Sequence, residues 1–342
     1  MLSSANIQIP LDVYGRPLHD LRISVIDRCN FRCTYCMPEG EHHQFLNPGE
    51  WLTFAEIERI TKLFVELGVV KIRLTGGEPL VRPNLTDLVE RLAGLGAIED
   101  LALTTNGSLL SRYAVPLKKA GLKRLTISLD TLDEKIFRIM CGKKAEVSEV
   151  LAGIKEAARA GFTGIKINVV VQKGINDHTL LDLVRYFKGT GHILRFIEYM
   201  DVGNCNHWRS ECVVPSAEII RQIERIFPLR PLDANYSGEV AERYEFCDGA
   251  GEIGFISSVS RPFCGSCSRI RLSTDGKLYT CLFAGQGTDL STPLRAGASD
   301  EELLNLIRSV WTQRTDRYSE ERSRLSSVGK LMKKVEMFQV GG

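Results

Sequence analysis

Leu21-Arg22-Ile23-Ser24-Val25-Ile26-Asp27-Arg28-Cys29-Asn30-Phe31-Arg32-Cys33-Thr34-Tyr35-Cys36 reads as a short strand of branched residues running straight into a loop with three cysteines. Five similar apolar runs follow: VVKIRL from Val69, EDLALTT from Glu99, LKRLTISL from Leu122, IKINVVV from Ile165 and ILRFIEY from Ile193. Short continuous apolar runs mark strands buried in a parallel sheet. Helix-like segments separate them. The first has a capping box, Thr53 with Glu56, and Gly68 stands where its last turn needs a left-handed residue. Others are predicted over 84–94, 109–120, 147–160 and 177–188. Six such units predict a parallel sheet with right-handed crossovers, short of the eight units of a closed barrel. The fold class is therefore α/β, a partial (β/α)6 TIM-like barrel over residues 1–214, with function at the C-terminal ends of its strands. Beyond residue 215 the pattern changes to a helix near 217–227, antiparallel strands around ERYEF and EIGFISSV, and a helix over 300–311. This predicts an α+β extension over 215–342, whose polar and basic end closes on Gly341-Gly342.

The 342 residues carry 44 basic and 42 acidic side chains, a net charge of +2. That balance argues against a protein that coats nucleic acid or an anionic membrane. No run of about 20 apolar residues suits a membrane span. The start lacks the basic-then-apolar pattern of a secretory leader. The expected location is the cytoplasm, where clustered cysteines point to metal or redox chemistry.

Cys29, Cys33 and Cys36 are spaced C-x3-C-x2-C. Three thiolates hold three irons of a [4Fe–4S] cluster and leave one iron open, whereas structural zinc closes with four ligands. His42 and His43, the nearest histidines, read as exposed loop residues. A second group, Cys264, Cys267 and Cys281, is spaced C-x2-C-x13-C. It reads as a second cluster; a zinc ribbon completed by Cys247 is the alternative. Arg269 and Arg271 lie between these ligands and share one face of an extended segment; their forks suit phosphate. Further cations, Arg22, Arg73, Lys166 and Arg195, interrupt the apolar strands. In the fifth strand Ile165, Ile167 and Val169 share one face and Lys166 and Asn168 the other, so Lys166 is expected to point into the barrel. Cations converging there suggest an anionic ligand such as a polyphosphate. The Gly249–Gly254 stretch fits G-x-G-x-x-G, but a strand follows it, so it reads as a hairpin turn. Cys141, Cys205, Cys212 and Cys247 carry no assigned role.

The first cysteine motif resembles that of the radical S-adenosylmethionine superfamily, and Gly76-Gly77-Glu78-Pro79 resembles its GGEP motif. Together with RFIEYMDVGN from Arg195, the Arg-Ile-Arg within the second cysteine group and the final Gly-Gly, the chain is similar to the molybdenum cofactor biosynthesis protein A family, the GTP 3′,8-cyclases. That resemblance implies two [4Fe–4S] clusters and S-adenosylmethionine as cofactors, with Tyr35, Gly77, Ser128 and Met200 contacting the latter. It implies GTP as substrate, held by Arg22, Arg73, Thr104, Lys166, Arg269, Ile270 and Arg271. Arg22, Arg269, Arg271, Gly341 and Gly342 would serve the reaction itself. It further implies an electron donor such as flavodoxin or ferredoxin, a downstream pterin-forming enzyme and a homodimer. A peptide-modifying radical enzyme and a non-enzymatic iron–sulfur redox sensor are the alternatives; no DNA-binding module supports the latter.

Overall fold

A computed structural model describes residues 9–327 and 333–342. In its first part strands alternate with helices: β1 (Asp20–Ser24), α1 (Phe54–Glu66), β2 (Lys71–Thr75), α2 (Leu85–Ala93), β3 (Asp100–Thr105), α3 (Leu110–Lys119), β4 (Arg124–Ser128), α4 (Glu134–Cys141), α5 (Val147–Arg159), β5 (Lys166–Val171), α6 (Leu180–Phe187) and β6 (Ile193–Glu198). There follow α7 (Ser216–Glu224), β7 (Leu229–Leu232), β8 (Glu242–Phe246), β9 (Glu252–Ile256), β10 (Arg269–Leu272), β11 (Lys277–Tyr279), β12 (Thr288–Asp289), α8 (Ser291–Arg295), α9 (Asp300–Thr312), α10 (Tyr318–Ser327) and α11 (Met337–Val340).

All twelve strands form one sheet in the order β12-β11-β10-β1-β2-β3-β4-β5-β6-β9-β8-β7, so the barrel stays open as expected. The six sequential strands are parallel. The later region adds β10 parallel to β1 and β9 parallel to β6, and each new edge is finished by antiparallel strands. Arg271 of β10 and Ile256 of β9, near opposite ends of that order, line the same cavity. The sheet therefore curls around it.

Side-chain alternation makes the two faces of the sheet different. Ile165, Ile167 and Val169 are fully buried on the helix side, while Lys166 and Asn168 line the cavity. Helix α1 turns Ile57, Ile60, Leu63 and Phe64 onto the sheet. Its capping box forms: Glu56 N–H donates to Thr53 Oγ1 at 3.2 Å and Thr53 N–H to the Glu56 carboxylate at 2.7 Å. Gly68 adopts φ +93° just past its end. The Gly249–Gly254 stretch spans the turn between antiparallel β8 and β9 and the start of β9, as expected. Helix α6 begins at Leu180 rather than 177, because the Asn176 side chain holds the preceding turn, accepting Gln172 N–H and donating to the Asp130 carbonyl.

Candidate active site

The cavity, about 330 Å³, runs the length of the strands rather than gathering at one end. At its C-terminal mouth the β1 loop brings Cys29, Cys33 and Cys36 together. The Cys33 carbonyl accepts N–H bonds from Cys36 and Met37, a single turn that places the second and third thiols on one side. Phe31 N–H donates to Cys29 Sγ at 3.4 Å, and the Asn106 amide approaches the same sulfur at 3.9 Å. Donors aimed at a sulfur suit a thiolate bound to metal. Burial, then neighbouring Glu78 and Cys33, pushes the free Cys29 thiol far up, and burial with the other two thiols does the same to Cys36. Bound iron would reverse that preference. Among the described residues no three His, Cys, Asp or Glu side chains close on a single ion. Three thiols lining one cavity, with a backbone donor 3.4 Å from Cys29 Sγ, suit a cluster that keeps one iron open.

The GGEP turn braces this loop. A Cβ on Gly77 would lie 2.2 Å from the Arg28 carbonyl, so backbone packs on backbone there. Gly77 N–H donates to the Ile26 carbonyl and Glu78 N–H to that of Arg28. The buried Glu78 carboxylate accepts from Leu80 N–H at 3.1 Å, the Thr105 hydroxyl at 2.7 Å and Asn106 N–H at 2.7 Å. Burial nonetheless lifts it to about 7. Glu78→Ala would strip three donors of their acceptor, a cost of roughly 3 kcal/mol. The thermal midpoint should drop by about 4 °C in calorimetry.

Cys264, Cys267 and Cys281 line the opposite end, because Cys264 and Cys267 precede β10, which runs parallel to β1, and Cys281 follows the returning strand β11. Cys267, although buried, is held at about 6 by Arg269 and Arg314; Arg269 Nη2 lies 3.4 Å from its sulfur. Burial pushes Cys281 up to about 12. Cys247 is exposed after β8 and does not line the cavity, so it does not complete a four-thiol zinc site.

Between the two groups the strand register sets Arg271, Arg22 and Arg73 side by side across β10, β1 and β2. Burial, then Arg271, Arg269 and Arg73, depresses Arg22. Arg73 donates to the Thr104 and Thr126 hydroxyls at 2.9 and 3.0 Å, and Arg195 to Asn168 Oδ1 at 2.8 Å. Asp20, Asp100 and Glu239 in the same lining offset part of this charge, and the cations that remain in excess favour an anionic ligand.

Tyr35, Gly77, Ser128, Met200, Thr104, Lys166, Arg269 and Gly342 also line the cavity. Tyr35 donates to Asp130 at 2.7 Å. The Ile270 side chain points the other way, fully buried in the core. Gly341 lies behind the wall: its carbonyl accepts from Arg271, and an added Cβ would sit 2.0 Å from Thr75 Cγ2. His43 is not a free loop residue. It packs edge-on against Phe338 with centroids 5.5 Å apart, although His42 is exposed.

Residues 23–187 match the Radical SAM superfamily and residues 192–320 match Molybdenum Cofactor Synthesis C. A GTP 3′,8-cyclase of Xanthomonas campestris pv. campestris (strain B100) is 54% identical over 343 residues, covering 100% of this chain and 99% of the relative. The chain belongs to the GTP 3′,8-cyclase family. Cyclases of Acidothermus cellulolyticus and Staphylococcus epidermidis (strain ATCC 35984) are 52% and 45% identical, covering 91% and 97% of this chain and 88% and 98% of theirs. Among solved structures, Streptococcus suis SuiB bound to S-adenosylmethionine aligns with a TM-score of 0.60 at 17% identity, over 86% of this chain and 69% of that one. That likeness speaks to the fold alone. Radical enzymes of this superfamily use a [4Fe–4S] cluster and S-adenosylmethionine, and no described helix here is long and apolar enough to cross a membrane.

In this cyclase-family cavity the structure adds residues that sequence reasoning passed over. Lys71 and Arg124 lie at strand starts, where their alternation with Arg73 and Thr126 was a usable signal. Tyr236 and Glu239 come from the loop between β7 and β8, which had no signal at all. Buried Asp12 binds Arg16 at 2.5 Å, and Arg16 and Arg314 donate to the Cys264 and Cys267 carbonyls at 2.8 and 2.7 Å. The separation of 248 residues between Arg16 and Cys264 hid that brace.

Proposed function

We propose that the chain converts GTP to 3′,8-cyclo-7,8-dihydro-GTP, an early step towards molybdopterin. The observation that carries this reading is the placement of two three-cysteine groups at opposite ends of one cationic cavity. Cys29, Cys33 and Cys36 would hold one [4Fe–4S] cluster beside S-adenosylmethionine, and Cys264, Cys267 and Cys281 a second beside the guanine. When bound, the first cluster and S-adenosylmethionine supply the radical chemistry that removes a hydrogen atom from the ribose. The chain's own residues orient and shield. Arg22, Arg73, Lys166, Arg269 and Arg271 neutralise the triphosphate, Thr104 fixes Arg73, and Gly341-Gly342 fills the space beside Arg271. Tyr35, Gly77, Ser128 and Met200 border the S-adenosylmethionine side. The barrel over residues 1–214 serves that cofactor and residues 215–342 the second cluster. A one-electron donor and a pterin-forming enzyme complete the sequence of reactions, in the cytoplasm and in a homodimer.

Anaerobic turnover of the reconstituted protein with S-adenosylmethionine, GTP and dithionite tests this. Deoxyadenosine in step with a GTP isomer of unchanged mass is expected; deoxyadenosine with untouched GTP would overturn the substrate.

Lys166 sets a pH dependence. Burial, then Arg195, Arg124 and Arg73, lowers its ammonium to about 7. Between that pH and about 10.5 the unfolded chain keeps a proton the folded chain has lost, so GTP-free stability rises with pH there. A triphosphate favours the charged form, so GTP binding takes up a proton and weakens as pH rises through 7. Equilibrium dialysis should show GTP affinity falling about tenfold from pH 7 to 8.5. Lys166→Arg should flatten that slope, since guanidinium stays charged.

A further inference from the structure

The ends of chains fray unless tied down, yet residues 333–342 follow a defined path into the cavity. Two anchors hold them. The apolar one is Phe338, 1% exposed, with its ring 5.5 Å from His43 and 5.9 Å from Phe45. The polar one is the loop that leaves β6 just after Met200. Asn204 clasps the backbone of Lys334 with both ends of its amide: Oδ1 accepts Lys334 N–H at 3.0 Å and Nδ2 donates to the Lys334 carbonyl at 2.5 Å. The Asn204 N–H and Nδ2 also donate to Glu336 Oε1 at 3.0 and 2.7 Å. The Cys205 thiol donates to Glu336 Oε2 at 3.1 Å. Asp201 receives Lys334 Nζ at 2.7 Å and Arg322 Nε at 2.8 Å. On the other side Val335 N–H bonds the Ala284 carbonyl, just beyond Cys281.

We infer that the loop Asp201–Cys205 is a clasp, and that Asn204 and Glu336 are positioning residues that seat Gly341-Gly342 beside the substrate. Neither side chain lines the cavity. They act through the tail, gripping it at Lys334 and Glu336, seven and five residues before Gly341, and the short helix α11 carries that grip to Arg271 and Thr75. An amide that pairs with both backbone groups of one residue imitates a strand neighbour, and the Glu336 carboxylate locks the next turn to the same asparagine. The inference rests on the reading that the tail takes part in cyclisation.

The test uses full-length, cluster-reconstituted protein with Asn204→Ala, Glu336→Ala and Glu336→Gln. Glutamine keeps an oxygen for Asn204 and turns its amide towards Cys205, so it should behave as the parent. In the alanine variants, hydrogen exchange of Met337–Gly342 should quicken about tenfold. Cyclised product per deoxyadenosine should fall about tenfold, with cleavage of S-adenosylmethionine retained. A merely structural loss would lower both products in proportion, and that result, or unchanged exchange, would overturn the clasp. Deleting Gly341-Gly342 separates the two ideas. An inactive deletion beside alanine variants with parental exchange refutes the clasp alone, whereas a fully active deletion refutes the tail's part in the reaction, and with it the positioning role.

Discussion

Cys33→Ala is expected to abolish deoxyadenosine formation altogether and to remove about half of the bound iron. The two backbone bonds to the Cys33 carbonyl do not depend on its side chain, so the turn should survive. Loss of a half-buried thiol should cost no more than about 1 kcal/mol. On the proposed assignment what disappears is one of three ligands, and two thiolates would not retain a cluster with one open iron. Cys141 makes the sharper control. It lies buried behind the group, its thiol 3.8 Å from Asp130 and close enough to Cys33 to be raised by it. Cys141→Ala should leave iron content and visible absorbance intact. Deoxyadenosine from Cys33→Ala at the parental rate would sink the ligand assignment, and iron loss in Cys141→Ala would move it to the wrong cysteine.

Gly341→Ala should lower GTP cyclisation at least a hundredfold while cleavage of S-adenosylmethionine continues. Gly341 adopts φ +72°, where any L side chain is strained by about 1–2 kcal/mol. The larger obstacle is space, because the new Cβ would fall 2.0 Å from Thr75 Cγ2. Either the tail backs out or β2 moves, and Arg271 loses the Gly341 carbonyl it holds. Displacing a positioning group by about 1 Å commonly costs a hundredfold in rate. Thr75→Ser removes the clashing methyl and keeps the hydroxyl. Adding it to Gly341→Ala should restore part of the cyclisation, measured as product per deoxyadenosine. Thr75 Oγ1 and Cβ would still lie 2.9 and 3.0 Å from the new Cβ, so recovery should be incomplete, and none at all would show that the Cγ2 contact is not what limits the variant.

The two cysteine spacings and the cations within apolar strands were legible because each is local. A loop of eight residues brings its own thiols together, and a strand sends alternate side chains to one face whatever lies beyond it. The capping box at Thr53 and the hairpin turn at Gly249 were legible for the same reason. Lys166 could be aimed into the barrel from two neighbours, Ile165 and Ile167, without knowing what else stood there.

Contacts between distant parts of the chain had no such signature. Strand order alone predicts that the chemistry gathers at one end of a barrel. The structure instead puts the second cysteine group at the far end, because β10 enters parallel to β1 and its preceding loop therefore faces the opposite way. His43 read as a loop residue because Phe338 is nearly three hundred residues away. Ile270, named with its two arginines, turned out to serve the core, since strand alternation separates it from both. By itself the sequence determined the two cysteine spacings, the cations within the strands and the open α/β barrel, because spacing and periodicity act over a few residues. Only the tertiary structure decided that the cysteine groups face each other across the cations, and that the tail is braced by Asn204 and stopped at Thr75. Those facts depend on strand order and close packing between segments, which no local pattern encodes.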